Sequence, residues 1–210
     1  PRTAATGATA SQTASSPPPR ELSLVAGSLI TQLMIVLDMT IIAIALPRMQ
    51  EDLGLTSSQR PWAITAYTLA NGGLVLLGGR LTAVLGIRRA YWLGQTGFAT
   101  ASLVAGMATS FPVLVTARTA QGAFAALLGP TALALLNSAF PEGPRRRRVF
   151  ALFGATGGVG AAAGLLIGGA LTDWLDWRWS LYVNVLIAAI GFLIGLRGLP
   201  TSKSRHDGPA

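Results

Sequence analysis

Six long apolar runs separated by short polar connections make up most of the chain. Each run is close to the twenty or so residues that an α-helix needs to cross the hydrocarbon core of a bilayer. The pattern predicts an all-α membrane protein with spans at Leu22–Leu46, Pro61–Leu81, Arg89–Thr109, Phe111–Phe140, Val149–Leu171 and Trp179–Leu196. The fourth run contains Gly129 and Pro130, which should kink the helix, and we expect it to end near Ala139.

Polar segments flank this six-helix unit, which we place at residues 21–199. Residues 1–20 are rich in Ser, Thr, Pro and small residues, and they have too little apolar surface to fold, so they are predicted to be a disordered cytoplasmic tail. Residues 200–210 are interpreted as a second cytoplasmic tail or as the start of a linker to a further domain.

The charged residues of the connections predict how the helices are oriented. The two tails and the second and fourth connections hold 12 of the 16 Lys and Arg residues. The first and fifth connections instead carry Glu51, Asp52, Asp173 and Asp176. Because Lys and Arg concentrate in cytoplasmic loops, both termini of this multi-pass protein are predicted to lie on the cytoplasmic side of the plasma membrane.

Composition supports the membrane assignment and narrows the chemistry. Apolar residues make up 51% of the chain and charged residues 11%, whereas soluble domains have about 25% charged residues. The net charge of +8 does not indicate nucleic-acid binding, because the run Arg145–Arg148 lacks interleaved aromatic residues and is better explained as a topology anchor that meets anionic lipid headgroups. With no cysteine and one histidine, His206 in the final polar segment, neither a metal site nor a cofactor is expected.

Asp38 lies near the middle of the first predicted span. Ionisable residues at bilayer depth are costly, and they commonly mark a substrate path, an ion path or a proton relay. A carboxyl group removed from water favours its protonated form, so Asp38 is a candidate to bind and release a proton. The alternative is a permanent hydrogen bond to a neighbouring helix, and the sequence favours neither.

Arg118 lies early in the fourth predicted span. Arginine stays charged, so it cannot carry the proton itself, but it can provide a fixed positive charge beside a carboxyl group. Gln121, one turn further along the helix, can share its hydrogen bonds. The alternative is a side chain that snorkels to the nearby membrane surface.

Glycines recur every fourth residue in the fifth predicted span, at Gly160, Gly164 and Gly168. This spacing forms a smooth ridge on which another helix can pack closely. Both static packing and a sliding interface between two halves of a transporter are compatible with the ridge. The connection between the second and third spans is a Gly- and Arg-containing segment at 78–89, interpreted as two tight turns around a short apolar link.

Four segments together resemble the major facilitator superfamily, and within it the drug/proton antiporters of the EmrB/QacA type. They are residues 37–47 (LDMTIIAIALP), 118–122 (RTAQG), 160–169 (GAAAGLLIGG) and 177–185 (WRWSLYVNV). The resemblance extends from about Leu22 to Leu199. This chain differs from the family pattern at Ala83, where an acid is usual, at Val84, where a basic residue is usual, and at Leu165, where proline is usual.

The resemblance implies two six-helix bundles with a substrate cavity between them, so this chain corresponds to the N-terminal half. It implies export of small amphipathic or cationic compounds in exchange for protons. Asp38, Arg118 and Gln121 would then serve proton coupling or the substrate path. The resemblance also implies an antiport-favouring glycine motif (Gly160, Gly164, Gly168, Gly169) and a cytoplasmic gating loop (Gly79, Arg80, Gly86, Arg88, Arg89).

Two other functions remain open from the sequence. One is a half-size membrane protein of the same fold that pairs with a second copy or serves as an accessory subunit; the other is a transporter of a different small solute. A membrane-embedded enzyme is disfavoured because Asp38 is the sole acid at bilayer depth, without a cysteine or histidine partner. Since transport in this fold needs two opposed halves, the 210-residue segment alone is expected to transport nothing.

Overall fold

The computed structural model describes residues 19–140 and 142–198, and these residues form six α-helices with no strand among them. The helices are α1 (Pro19–Leu53), α2 (Trp62–Leu85), α3 (Ile87–Gly106), α4 (Phe111–Ala139), α5 (Pro144–Trp174) and α6 (Trp179–Gly198). All six predicted spans are therefore helical, and the predicted end of the fourth near Ala139 is confirmed. Residues 1–18 of the first predicted tail and all of the second, 200–210, lie outside the described residues, whereas residues 19 and 20 belong to α1.

Two helices extend well beyond their predicted apolar runs. The first continues through Pro47 to Leu53, adding a polar turn that contains Arg48, Glu51 and Asp52. The fifth begins at Pro144, so the basic run that was predicted as a connection forms its first turn. Proline at the start of a helix is favourable, because the missing N–H would have no partner there.

The second connection differs from its prediction of two tight turns around an apolar link. The second helix continues to Leu85 and the third starts at Ile87, so Gly86 alone joins them. Gly86 has φ +79°, a backbone conformation that side-chain-bearing residues rarely adopt. Most of the predicted loop is therefore helix.

Five of the six helices are long and apolar enough to cross a membrane, namely α1, α2, α4, α5 and α6. The third is not apolar enough, because Arg88, Arg89 and Gln95 interrupt its apolar residues. It nevertheless packs against α4 and α6 as part of the same bundle.

Helices α1 and α4 form the centre of the bundle. The most extensive contacts join α2 to α4, α1 to α5, α3 to α4 and α1 to α6, with α3 also packed on α6. The pattern is unchanged when α1, α2 and α3 are exchanged for α4, α5 and α6, respectively. The bundle thus has the contact symmetry of two three-helix repeats. Such repeats are a common feature of transporter folds.

The outer helices leave large apolar surfaces without a partner. In the most apolar 18-residue windows, 11% of residues are buried in α2 and in α5, compared with 50% in α1 and 56% in α4. The second and fifth helices do not contact each other. Their free faces are therefore available to lipid or to a further helical domain.

The two ends of the bundle differ in charge. The basic end carries Arg80, Arg88, Arg89 and the run 145–148; the acidic end carries Glu51, Asp52, Asp173 and Asp176. At the acidic end, Arg178 Nη1 lies 2.9 Å from Asp52 Oδ2, and its Nη2 donates to the Ala108 carbonyl at 3.3 Å. The Trp177 indole N–H also donates to Asp52, at 3.1 Å. These contacts join the end of α1 to the connections that follow α3 and α5.

Candidate functional site

Asp38 and Arg118 form an ion pair in the interior of the bundle. Arg118 Nη1 lies 2.7 Å from Asp38 Oδ2, and both side chains are fully buried. The pair joins α1 to α4 across the centre of the fold. The alternative in which Arg118 snorkels to the membrane surface is therefore wrong, because its charge is satisfied inside the protein.

Three further contacts hold the Arg118 guanidinium. Its Nε donates to the Ala63 carbonyl at 2.8 Å, and Nη1 also donates to Gln121 Oε1 at 2.9 Å. Its Cζ lies 4.6 Å from the centre of the Tyr67 ring, within the range of a cation–π interaction. Arg118 is thus bound to α2 and to its own helix as well as to Asp38.

The second oxygen of Asp38 accepts hydrogen bonds from neutral amides. Asn184 Nδ2 on α6 donates to Asp38 Oδ1 at 2.6 Å, and Gln121 Nε2 donates to the same oxygen at 3.3 Å. Gln121 also donates to Ser102 Oγ on α3, at 2.7 Å. We call this set the charged layer: Asp38, Tyr67, Ser102, Arg118, Gln121 and Asn184. It connects α1, α2, α3, α4 and α6.

Sequence reasoning named three members of the charged layer and missed the other three. Asn184 was part of a family-like segment, and it is a polar residue within an apolar run, which is the signal that could have identified it. Ser102 and Tyr67 carried no comparable signal, because both residue types are common in membrane helices.

Three polar atoms of the charged layer have no hydrogen-bond partner among the described residues. They are Arg118 Nη2, Asn184 Oδ1 and the Tyr67 hydroxyl oxygen. Buried polar atoms without a partner are costly, and they are commonly satisfied by water or by a ligand. The layer therefore has free donor and acceptor capacity beyond the contacts it makes.

Apolar clusters cover the charged layer on both sides. Toward the acidic end, Met49, Leu114 and Leu181 belong to one buried cluster. Toward the basic end, Met34, Phe98, Leu128 and neighbouring residues form another. Both Asp38 and Arg118 are thus shielded from water in this conformation.

A second polar set lies two helical turns closer to the basic end. Gln95 Nε2 donates to Thr31 Oγ1 at 2.9 Å, and the Tyr91 hydroxyl donates to the Gly191 carbonyl at 2.8 Å. We call Thr31, Tyr91, Gln95 and Gly191 the neutral layer. It joins α1, α3 and α6 without any charged residue.

The glycine ridge of α5 packs against α1 beside Asp38. A side chain on Gly164 would overlap Thr40, one on Gly168 would meet Ile41 at 2.9 Å, and one on Gly160 would meet Leu33 at 3.2 Å. These three glycines therefore form a close-packed interface with α1 within the bundle. The fourth glycine of the predicted motif, Gly169, lies off the ridge, because a methyl group added there would have no neighbouring atom within 4 Å.

The residues of the predicted gating loop lie at the basic end, away from the charged layer. Arg80, Arg88 and Arg89 are exposed, and Gly79 faces Pro130 of α4. They surround the single-residue connection at Gly86. The structure thus brings together Asp38, Arg118 and Gln121, but it leaves the loop residues as a separate surface.

Comparison with known proteins identifies the family. A family model described as Major Facilitator Superfamily matches residues 28–210, which is most of the chain. The chain belongs to this superfamily. The sequence-based resemblance to it is confirmed, and with it the all-α membrane fold.

Curated relatives of this superfamily member export or confer resistance to antibiotics and drugs, according to their names. The puromycin resistance protein pur8 of Streptomyces alboniger is 51% identical over 182 residues, covering 87% of this chain and 36% of that protein. The cephamycin export protein CmcT of Amycolatopsis lactamdurans is 42% identical, covering 84% and 37%. The multidrug efflux pump LfrA of Mycolicibacterium smegmatis is 34% identical, covering 84% and 35%.

Among solved structures, a bacterial homologue of the human lysosomal transporter Spinster, in an inward-facing and unoccupied conformation, has the same fold. The TM-score is 0.66 at 20% sequence identity, over 91% of this chain and 47% of the other. The superfamily member described here thus spans just over a third of the length of its curated relatives and about half of this structure.

Proposed function

We propose that the chain is the N-terminal half of a proton-coupled exporter of small amphipathic compounds, and that the charged layer binds the coupling proton. The observation that carries this proposal is the fully buried ion pair between Asp38 and Arg118. A carboxylate and a guanidinium removed from water stabilise the fold less than a well-packed apolar pair often would. A function that needs them is the simplest reason for their presence.

The contacts of Asp38 suit a group that changes charge. Protonation at Oδ2 removes the attraction to Arg118, while the amides of Asn184 and Gln121 still donate to Oδ1. Arg118 keeps the Ala63 carbonyl, Gln121 Oε1 and the Tyr67 ring as partners. Both residues thus retain hydrogen bonds in either state, but the force between α1 and α4 differs.

Proton exchange at Asp38 needs a change of conformation, because apolar clusters cover the layer on both sides. Alternating access provides such a change by rocking two halves around a site near the membrane midplane. The free apolar faces of α2 and α5 are the surfaces on which a second half would pack. A second copy of this chain, or another subunit, is the competing occupant.

The excess of arginine at one end of the bundle predicts the orientation that accompanies this proposal. In this proposal the basic end faces the cytoplasm, the six-helix unit is residues 21–199, and residues 200–210 are a cytoplasmic tail or the start of a linker to the second half. The name of pur8 makes puromycin the first substrate to test. Other small solutes are the alternative, since the missing half contributes the other wall of the cavity.

The decisive experiment uses the complete natural chain in proteoliposomes, with puromycin movement followed under an imposed pH gradient. Asp38→Asn should abolish gradient-driven transport while the protein stays inserted and folded, because the amide cannot take up the proton. Asp52→Asn is the matched control, since it neutralises an exposed carboxylate at the acidic end. Unchanged transport by Asp38→Asn would reduce Asp38 to a structural contact.

A further inference from the structure

An open groove of about 660 Å³ runs between α3 and α4, on the outside of the bundle. None of the charged layer lines it. Its wall on α3 extends from Leu93 to Val104, and its wall on α4 extends from Pro112 to Phe124. The functions implied by the family resemblance and the proposed proton site do not involve this surface.

The groove offers mainly apolar contacts, because the hydroxyl protons of its threonines are used within their own helices. No charged residue lines it. Its three threonines each donate to a carbonyl of their own helix: Thr96 to Trp92 at 2.7 Å, Thr100 to Thr96 at 2.8 Å and Thr116 to Pro112 at 2.7 Å. Their methyl groups thus complete an apolar wall. The fitting occupant is a hydrocarbon.

The length and depth of the groove match one membrane leaflet. Its wall on α3 is twelve residues long, or about 16 Å at 1.5 Å rise per residue. One leaflet contributes about 15 Å to a hydrocarbon core of about 30 Å. The groove begins at the acidic end, where α3 ends and α4 begins, and it extends toward the middle of both helices.

Gly97 and Phe124 pack closely in the inner half of the groove. A methyl group on Gly97 would overlap the Phe124 ring, so the ring lies directly on the backbone of α3. Both residues line the groove. An extended chain entering from the acidic end therefore lies against this aromatic ring in the inner half of the groove.

We infer that this groove binds one acyl chain of a phospholipid from the leaflet at the acidic end. Lipid is favoured over a further protein domain because the faces left most open to another bundle belong to α2 and α5, not to the groove. The apolar lining and the leaflet-long shape fit a single extended chain at membrane depth. This inference depends on the membrane setting of the fold and not on proton coupling.

The test uses the complete natural chain in vesicles that contain a phospholipid with a photoreactive diazirine near the end of one acyl chain. After irradiation, the labelled peptides are identified by mass spectrometry. Label should concentrate on the groove segments of α3 and α4. Even labelling of all the exposed helices would show only bulk lipid contact and would overturn the inference.

Matched substitutions sharpen the result. Thr116→Phe fills the groove and should remove most of its label, whereas Thr119→Phe, an exposed threonine on the same helix that does not line the groove, should leave the label unchanged. Thr100→Phe fills the groove from α3 and replaces Thr116→Phe if that variant does not fold. Equal labelling of filled and control variants contradicts the inference, and so does loss of label on adding puromycin, which would assign the groove to substrate.

Discussion

The charged layer and the neutral layer have nearly the same framework and differ in what they can do. Thr31 and Asp38 lie seven residues apart on α1, as do Gln95 and Ser102 on α3 and Gly191 and Asn184 on α6. Seven residues are about two helical turns, so both layers use the same faces of the same helices. The apolar cluster that contains Met34 and Phe98 separates them.

The difference between the layers is ionisation. Every contact of the neutral layer joins groups that keep their charge state across the physiological pH range, so it acts as a fixed hydrogen-bonded tie. The charged layer adds α2 and α4 and contains the buried ion pair between Asp38 and Arg118. The two layers therefore share a buried framework, and the proposed proton coupling rests on the one feature that the neutral layer lacks, the ion pair.

Removing the positive charge of Arg118 from the charged layer should have the largest effect on stability. Arg118→Gln leaves a buried carboxylate without its counter-charge, and the expected loss is about 3–5 kcal/mol of stability. The midpoint of thermal unfolding of the complete chain, purified in detergent, measures this loss. The double variant Asp38→Asn, Arg118→Gln should lose less than Arg118→Gln alone. Additive losses would mean that the two residues are not coupled.

Disrupting the close packing of α5 against α1 beside Asp38 should have the next largest effect on stability. Gly164→Ala places a methyl group on Thr40, and overpacking of this kind costs about 1–3 kcal/mol. Gly169→Ala is the matched control, because nothing lies within 4 Å of its added methyl group. The unfolding midpoint of Gly164→Ala should therefore fall well below the wild-type value, whereas that of Gly169→Ala should stay close to it. Equal midpoints for the two variants would contradict the assigned ridge.

Disrupting the neutral layer should have the smallest effect on stability. Gln95→Leu removes one hydrogen bond to Thr31, whose hydroxyl still donates to the Gly27 carbonyl, so about 0.5–1.5 kcal/mol should be lost. Export driven by a pH gradient should persist in this variant, measured beside Asp38→Asn in the same vesicles. Loss of coupling in Gln95→Leu would remove the functional distinction between the layers.

The length of the apolar runs was sufficient to predict the six helices, because each run by itself is long enough to cross a bilayer. Local signals failed where a boundary depends on the rest of the bundle. The first helix passes Pro47 because its last turn packs Met49 into the buried cluster at the acidic end. The Gly86 connection was misjudged because its flanking residues are compatible with either turn or helix.

The charged layer was predicted only in part, since its contacts cross large distances in sequence. Asp38 and Arg118 could each be recognised as unusual at bilayer depth, but their pairing spans 80 residues and the contact with Asn184 spans 146. The sequence favoured neither a mobile proton site nor a fixed hydrogen bond for Asp38. The choice depends on which partners surround the carboxyl group, and three-dimensional packing determines those partners.

The single residue that joins α2 to α3 has a mechanical consequence. These helices touch each other little along their lengths, yet Gly86 leaves almost no slack between their ends at the basic end. A displacement of one helix end is therefore passed to the other through Gly86 alone. A molecule that binds both Arg80 on α2 and Arg88 on α3 therefore contacts two helices whose ends are held at a fixed separation.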